Sequence, residues 1–209
     1  MEELVTCEGT VHSIIFQNAE NGYTVLRLLT EEGEVITVVG CIPCVAPGEH
    51  LAVSGVPETH PQHGEQLRAV ELERSLPEDE EEIFSYLSSG ICKGVGPATA
   101  RRIVERFGAE TLDVLEREPE RLTTLKGVTA RKAQEIAESF RQHMGLRRLM
   151  AFLAQYQLPP VLAMELRRQY GDAALEKVRE NPYLLSGEAC GVEFSVTDGI
   201  GSFWLCANP

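Results

Sequence analysis

Residues 91–107 read Ile-Cys-Lys-Gly-Val-Gly-Pro-Ala-Thr-Ala-Arg-Arg-Ile-Val-Glu-Arg-Phe. A tight Gly-Val-Gly turn runs straight into an amphipathic helix that opens at Pro97. Glycine takes backbone conformations that other residues resist, and it lets a second backbone come close. Proline suits the first helical position, where an N–H would have no intrahelical partner. The free N–H groups of such a helix start, with the positive end of its dipole, attract a phosphate. Lys93, Arg101 and Arg102 lie close by in the sequence. This is the chemistry of a clamp on a nucleic-acid backbone, which positions without reading bases. A bulky β-branched residue in place of Gly96 is expected to distort the turn.

The stretch resembles the helix-hairpin-helix motif of DNA repair and recombination proteins. Gly94-Val95-Gly96 matches its hairpin, and Ala100 and Ile103 match its packing positions. That family often has a basic residue two places after the second glycine, and here the place is Ala98. Leu125-Lys126-Gly127-Val128-Thr129-Ala130-Arg131-Lys132-Ala133 follows the same pattern, with Thr129 for the second glycine and Arg131 in the basic place. Two adjacent hairpins would contact both sides of a groove or a strand. The candidate DNA-binding residues are therefore Lys93, Gly94, Val95, Gly96, Thr99, Arg101, Arg102, Lys126, Gly127, Thr129, Arg131 and Lys132. The competing reading is an ordinary helix–loop–helix connection with glycines as caps.

The elements around these turns recur. Residues 94–122 align without gaps on residues 157–185, with Ala100/Ala163, Gly108/Gly171, Leu112/Leu175, Pro119/Pro182 and Leu122/Leu185 identical. Helix, glycine stop, short helix and proline appear in both, the signature of a duplicated helical module. Gln157 and Pro159 replace the two glycines in the second copy, which weakens its phosphate turn. Gly191-Val192 follows that copy as Gly127-Val128 follows the first.

The chain carries a formal charge of −13, but unevenly. Residues 1–90 hold 17 acidic and 3 basic residues, whereas residues 91–148 hold 8 acidic and 12 basic. Phosphate neutralisation dominates non-specific DNA affinity, so the contact surface is expected with the hairpins. The run Glu78-Asp79-Glu80-Glu81-Glu82 separates the halves and reads as a solvated first helical turn, where carboxylates favour the dipole.

Before that run, short segments alternate apolar and polar residues at 8–16, 22–28, 34–39, 50–55 and 65–72. Asn21-Gly22 and Glu32-Gly33 mark turns between them. Five short strands imply a small OB-type barrel, with a sandwich or an SH3-like barrel as alternatives. The expected fold class is multi-domain β + α. An OB-like β-barrel (1–76) leads through an acidic hinge and helix start (77–90) to an all-α tandem helix-hairpin-helix domain (91–148). A second, diverged helical repeat (149–209) follows, truncated at its end. OB barrels bind single strands with a basic groove and exposed aromatics. This one has Arg27, Arg68 and Arg74 as its basic residues, and Phe16 and Tyr23 read as core, so a docking role is favoured for it.

Six cysteines and no membrane-length apolar run point to a cytoplasmic chain with reduced thiols. Cys41, Cys44, His60 and His63 are set aside as a zinc set because the two-residue histidine gap is tighter than such sites use. No phosphate loop, G-x-S-x-G or H-E-x-x-H occurs, so no catalytic or metal residue is assigned.

Barrel, acidic hinge and tandem hairpins, in that order, resemble the N-terminal region of the long RecD-like bacterial DNA helicases. The carriers include Asn21-Gly22-Tyr23-Thr24-Val25, Gly48-Glu49, His60-Pro61-Gln62-His63-Gly64-Glu65-Gln66-Leu67, Asn181-Pro182-Tyr183 and Gly191-Val192, besides the two hairpins. The resemblance implies a superfamily-1 helicase that hydrolyses ATP with magnesium and moves 5′ to 3′ on single-stranded DNA. Its hairpins would hold or part the duplex at the fork. The motor domains would follow this region as its partner within the same protein. The chain ends at Pro209 without a completed last hairpin, so it is expected to be truncated and, alone, to lack ATPase and helicase activity. The expected ligand is single-stranded or forked DNA, with no membrane and no cofactor in this chain. Two rival functions stand beside it: a protein-interaction module, and the DNA-binding part of a repair nuclease.

Overall fold

A computed structural model of the chain describes residues 4–186 and 192. It divides into two compact units, residues 1–141 and 142–209.

The first unit begins with five strands: β1 (Val5–Gln17), β2 (Tyr23–Thr30), β3 (Val35–Cys41), β4 (His50–His60) and β5 (Gly64–Ser75). They close into a barrel in the order β1-β2-β3-β5-β4, with β4 returning to β1 and only the β3–β5 pair parallel. This is an OB-like barrel. Leu26, Leu28 and Val38 alternate into its core, where Val11, Leu51, Val53 and Leu67 meet them. The parallel closing contact is short, two residue pairs, Val38–Leu67 and Val39–Arg68. Arg74 fastens the loop between β3 and β4. Its guanidinium donates to Pro43 O, Cys44 O and both carboxylate oxygens of the fully buried Glu49, the last at 2.8–3.1 Å. Buried charges persist only when paired and hydrogen-bonded in this way.

The acidic run opens helix α1 (Glu80–Tyr86). Asp79 caps it, its side chain accepting the Glu82 N–H at 2.8 Å, and Glu80, Glu81 and Glu82 fill the first turn. The helix is docked on the barrel: Thr10 Oγ1 donates to Glu82 Oε1 at 2.6 Å. A Cβ on Gly48 would overlap the Glu82 carbonyl oxygen, so only glycine allows that approach. A π turn (Leu87–Ile91) then leads to α2 (Pro97–Phe107), α3 (Thr111–Arg117) and α4 (Ala130–Ala154). Ile83, Tyr86, Ile103, Leu115 and Ile136 are fully buried.

The second unit takes the end of α4, then α5 (Val161–Tyr170) and α6 (Ala174–Glu180). The aligned repeat has a matching backbone. Gly108 and Gly171 end α2 and α5 at φ 55° and 61°, ψ −136° and −142°. A 3-10 turn and a seven-residue helix follow in both copies. Ala100 and Ala163, Ile103 and Leu166, Leu115 and Val178, and Leu122 and Leu185 are each fully buried. The repeated residues are those that stop a helix or fill its core. Gly191, Cys190 and Cys206 lie outside the described residues. Among the described residues, no helix is long and apolar enough to cross a membrane.

Candidate nucleic-acid interface

Both hairpin turns have one geometry. Cys92-Lys93-Gly94-Val95 closes with Val95 N–H donating to Cys92 O at 3.1 Å, and Leu125-Lys126-Gly127-Val128 with Val128 N–H to Leu125 O at 3.0 Å. Gly94 and Gly127 sit at φ 82° and 83°, the positive value that the third position of a type II turn requires. Each turn has lysine, exposed, at its second position, and valine, buried, at its fourth. A Cβ at Gly94, Gly96 or Gly127 would meet nothing, so the space over the turns is open.

The helix starts differ. Gly96 precedes α2 with no side-chain cap, whereas the Thr129 hydroxyl accepts the Lys132 N–H at 3.2 Å. The second helix start therefore already holds one partner for its free N–H groups. Gly96 has φ −93° and ψ 175°, extended backbone open to any residue. The expectation that a β-branched residue there distorts the turn is wrong on this geometry. Thr129, itself β-branched, occupies the equivalent place above the same turn.

The basic residues divide into outward and bracing groups. Lys93, Lys126 and Arg131 are exposed, Arg131 in a surface pair with Glu135 at 2.8 Å; such pairs hold a side chain weakly. Arg102 joins the hairpins: Nη1 donates to Lys126 O at 2.6 Å and Nε to Ala98 O at 3.3 Å. Arg101 lies over the Phe84 ring of α1, 4.7 Å from its centroid. Ser139 on α4 accepts the Lys93 N–H at 2.9 Å, tying the first turn to the helix of the second hairpin. Val95 and Thr99 are 4% and 9% exposed, so they offer the surface little beyond backbone. Lys132 is half-buried on α4. Ser139 and the bracing use of Arg102 are invisible in the sequence, because each bond joins residues 24 or 46 positions apart.

The turn before α5 is of another kind. Leu158 N–H donates to Leu153 O at 3.1 Å and Gln157 N–H to Ala154 O at 3.0 Å, the Schellman arrangement that ends α4. Gln157 takes φ 56° where glycine would be favoured. This turn is a helix cap.

The barrel corrects another expectation. Phe16 and Tyr23 are 51% and 42% exposed, not core, and their rings lie 6.5 Å apart. A bulge between Ile14 and Phe16 turns Phe16 outward. Tyr23 shares its parity in β2 with the exposed Arg27, and that alternation was the available signal. His60 and His63 stack ring on ring at 4.7 Å beside the β4–β5 turn. Among the described residues no group of three or more potential metal ligands forms.

Three known domain families match in succession. Residues 4–77 match the OB-fold domain of the ATP-dependent DNA helicase YrrC, residues 84–142 a SAM-like helix-hairpin-helix tandem, and residues 142–204 the helix-hairpin-helix domain of the ATP-dependent RecD2 DNA helicase. The ATP-dependent RecD2 DNA helicase of Deinococcus radiodurans is 29% identical over 197 residues, 91% of this chain and 27% of that protein. The chain thus spans about a quarter of the length of this curated relative. Among solved structures, the S. pombe Stn1-ten1 complex aligns at 21% identity over 34% of this chain and 57% of that chain, with a TM-score of 0.29, too low to carry an argument. The ordered succession of barrel and hairpin matches, together with that relative, supports an N-terminal RecD-like region.

Proposed function

We propose that the chain is the DNA-holding accessory region of an ATP-dependent helicase that moves 5′ to 3′, with its hairpin turns gripping backbone phosphates. The twin turns carry this reading. Each places a lysine beside an open, positive-φ glycine at a helix start. That is where backbone N–H groups and dipole favour an anion. Lys93, Lys126, Arg131 and Lys132 would neutralise phosphates, and the N–H groups around Gly96 would approach the strand most closely. Arg102 and Ser139 would keep the two grips in fixed register. Motor domains elsewhere in the whole protein would bind ATP and magnesium, and the region would act in the cytoplasm on single-stranded or forked DNA.

Fluorescence anisotropy across a salt series tests this with single-stranded, duplex and forked DNA. Neutralising Lys93, Arg101, Lys126, Arg131 and Lys132 to alanine together is expected to weaken binding. It should also flatten the dependence of log K on log salt by roughly 0.7–0.9 for each phosphate no longer neutralised. Equal binding and an equal slope in the five-fold variant would remove the hairpins from the DNA-binding role.

A further inference from the structure

Helix α4 runs through the division between the two units, which falls between Arg141 and Gln142. The two helix-hairpin-helix matches also meet at residue 142. The buried stripe of the helix breaks just beyond that point. Ala133, Ile136, Ala137, Phe140 and Met144 are buried at the spacing that keeps side chains on one helix face. The same face continues through positions 147, 148 and 151, but Arg148 and Ala151 are exposed and Arg147 is half-buried. Leu149, Met150 and Leu153 are buried instead. From Met144 to Leu149 the stripe steps about 140° around the helix, at about 100° per residue. Residues 145–148, one full turn, therefore hold no buried side chain.

That unanchored turn is weakened twice more. Gly145 stands in it, and glycine inside a helix costs roughly a fivefold factor in helix stability against alanine. Packing does not require the glycine, because a Cβ there would meet nothing within 4 Å. The second weakness is at Gln142 O. In an α-helix this oxygen accepts the Leu146 N–H, the bond that spans Gly145. Arg167 Nη1 donates to the same oxygen, while Arg167 Nη2 and Gln142 Nε2 reach Asp172 at 3.1 and 3.4 Å. A glycine, and a side chain reaching into the i→i−4 ladder, are two of the few recognised causes of a helix bend. When the Leu146 N–H lets go, the Gln142 carbonyl keeps a charged donor and is not left unsatisfied. We propose that residues 145–148 are a hinge: α4 bends at Gly145, Arg167 holds the released Gln142 carbonyl, and the two helix-hairpin-helix units reorient about this turn. Each unit keeps its own buried stripe of α4 as it moves, and the inference does not depend on what the hairpins bind.

The test measures distances by pulsed electron paramagnetic resonance in the full chain. Nitroxides are placed at Glu105 on α2 and Glu176 on α6, both exposed. They are attached through a ketone-bearing unnatural residue, which leaves the native cysteines alone. The parent chain should give a broad or two-peaked distance distribution. Gly145→Ala fits the open space and should narrow it, with the minor population falling about fivefold. Ala151→Gly puts the same helix cost at an exposed position in the packed half of α4, and should leave the distribution as it was. Arg167→Met removes the donor to the released carbonyl, so the minor population should shrink severalfold. A single narrow distance in the parent chain would overturn the hinge. So would a distribution that Gly145→Ala does not change, or one that Ala151→Gly broadens. A broader distribution in Arg167→Met would show that the arginine splints the turn, and would overturn its part in the bend.

Discussion

The Cys92 thiol is 1% exposed between the π turn and the first hairpin, and burial alone pushes its pKa up to about 12. A thiol held neutral is a poor nucleophile. At pH 8 an alkylating reagent should therefore modify the exposed Cys41 and spare Cys92 until the chain unfolds, which peptide mass spectrometry can follow. The same shift has a consequence for stability. The folded state keeps the Cys92 proton above its ordinary pKa of 9.0, where the unfolded chain has released it. Stability from this source is complete below pH 9 and is lost between 9 and about 12, at up to about 1.4 kcal/mol per pH unit. A Cys92→Ala variant should lose less stability over that range in alkaline denaturant titrations. Parallel curves for the two proteins would show that the thiol ionises without unfolding. Glu49 is buried as well, and Arg74 and the Ala46 N–H supply its carboxylate with partners.

At the level of elements, the hairpins are coupled by Arg102, and this makes a distinction that stability alone would miss. If Arg102 braces the two turns through Lys126 O, Arg102→Ala should lower stability by about 1 kcal/mol and weaken DNA binding severalfold with an unchanged salt slope. If it meets phosphate directly, the slope falls by about 0.9. A steady slope with weaker binding is the expected result. The sequence disclosed the turns well, because glycine at a positive φ and proline at a helix start leave local marks. The five strands were legible too, though β4 and β5 run to His60 and Ser75 where pairing across the hairpin extends them past the alternating segments. What stayed hidden was the facing of β1. Alternation counted from Ile14 puts Phe16 in the core, and a single bulged residue reverses that. The match between Gly108 and Gly171 was visible as identity, whereas Gln157 at φ 56° was not, since nothing in its type favours that conformation.

For the molecule as a whole, charge decides how DNA arrives as well as where it rests. Residues 91–148 are net basic, while the barrel carries an excess of carboxylates, three of them, Glu31, Glu32 and Glu34, exposed in the β2–β3 turn. Like charge repels an approaching strand over roughly a Debye length, about 10 Å at 0.1 M salt and about 30 Å at 0.01 M. None of the residues assigned to DNA binding lies in this turn, so its effect should be on encounter and not on residence. Replacing the three glutamates with glutamine is expected to raise the association rate for a labelled thymidine 20-mer a fewfold at about 0.01 M salt, with the dissociation rate constant unchanged. The gain should vanish at about 0.5 M salt, where screening removes the repulsion. Stopped-flow anisotropy measures both rates. A slower dissociation in the variant would place the turn in direct contact with the strand. An unchanged association rate at about 0.01 M salt would show that these carboxylates do not impede the strand.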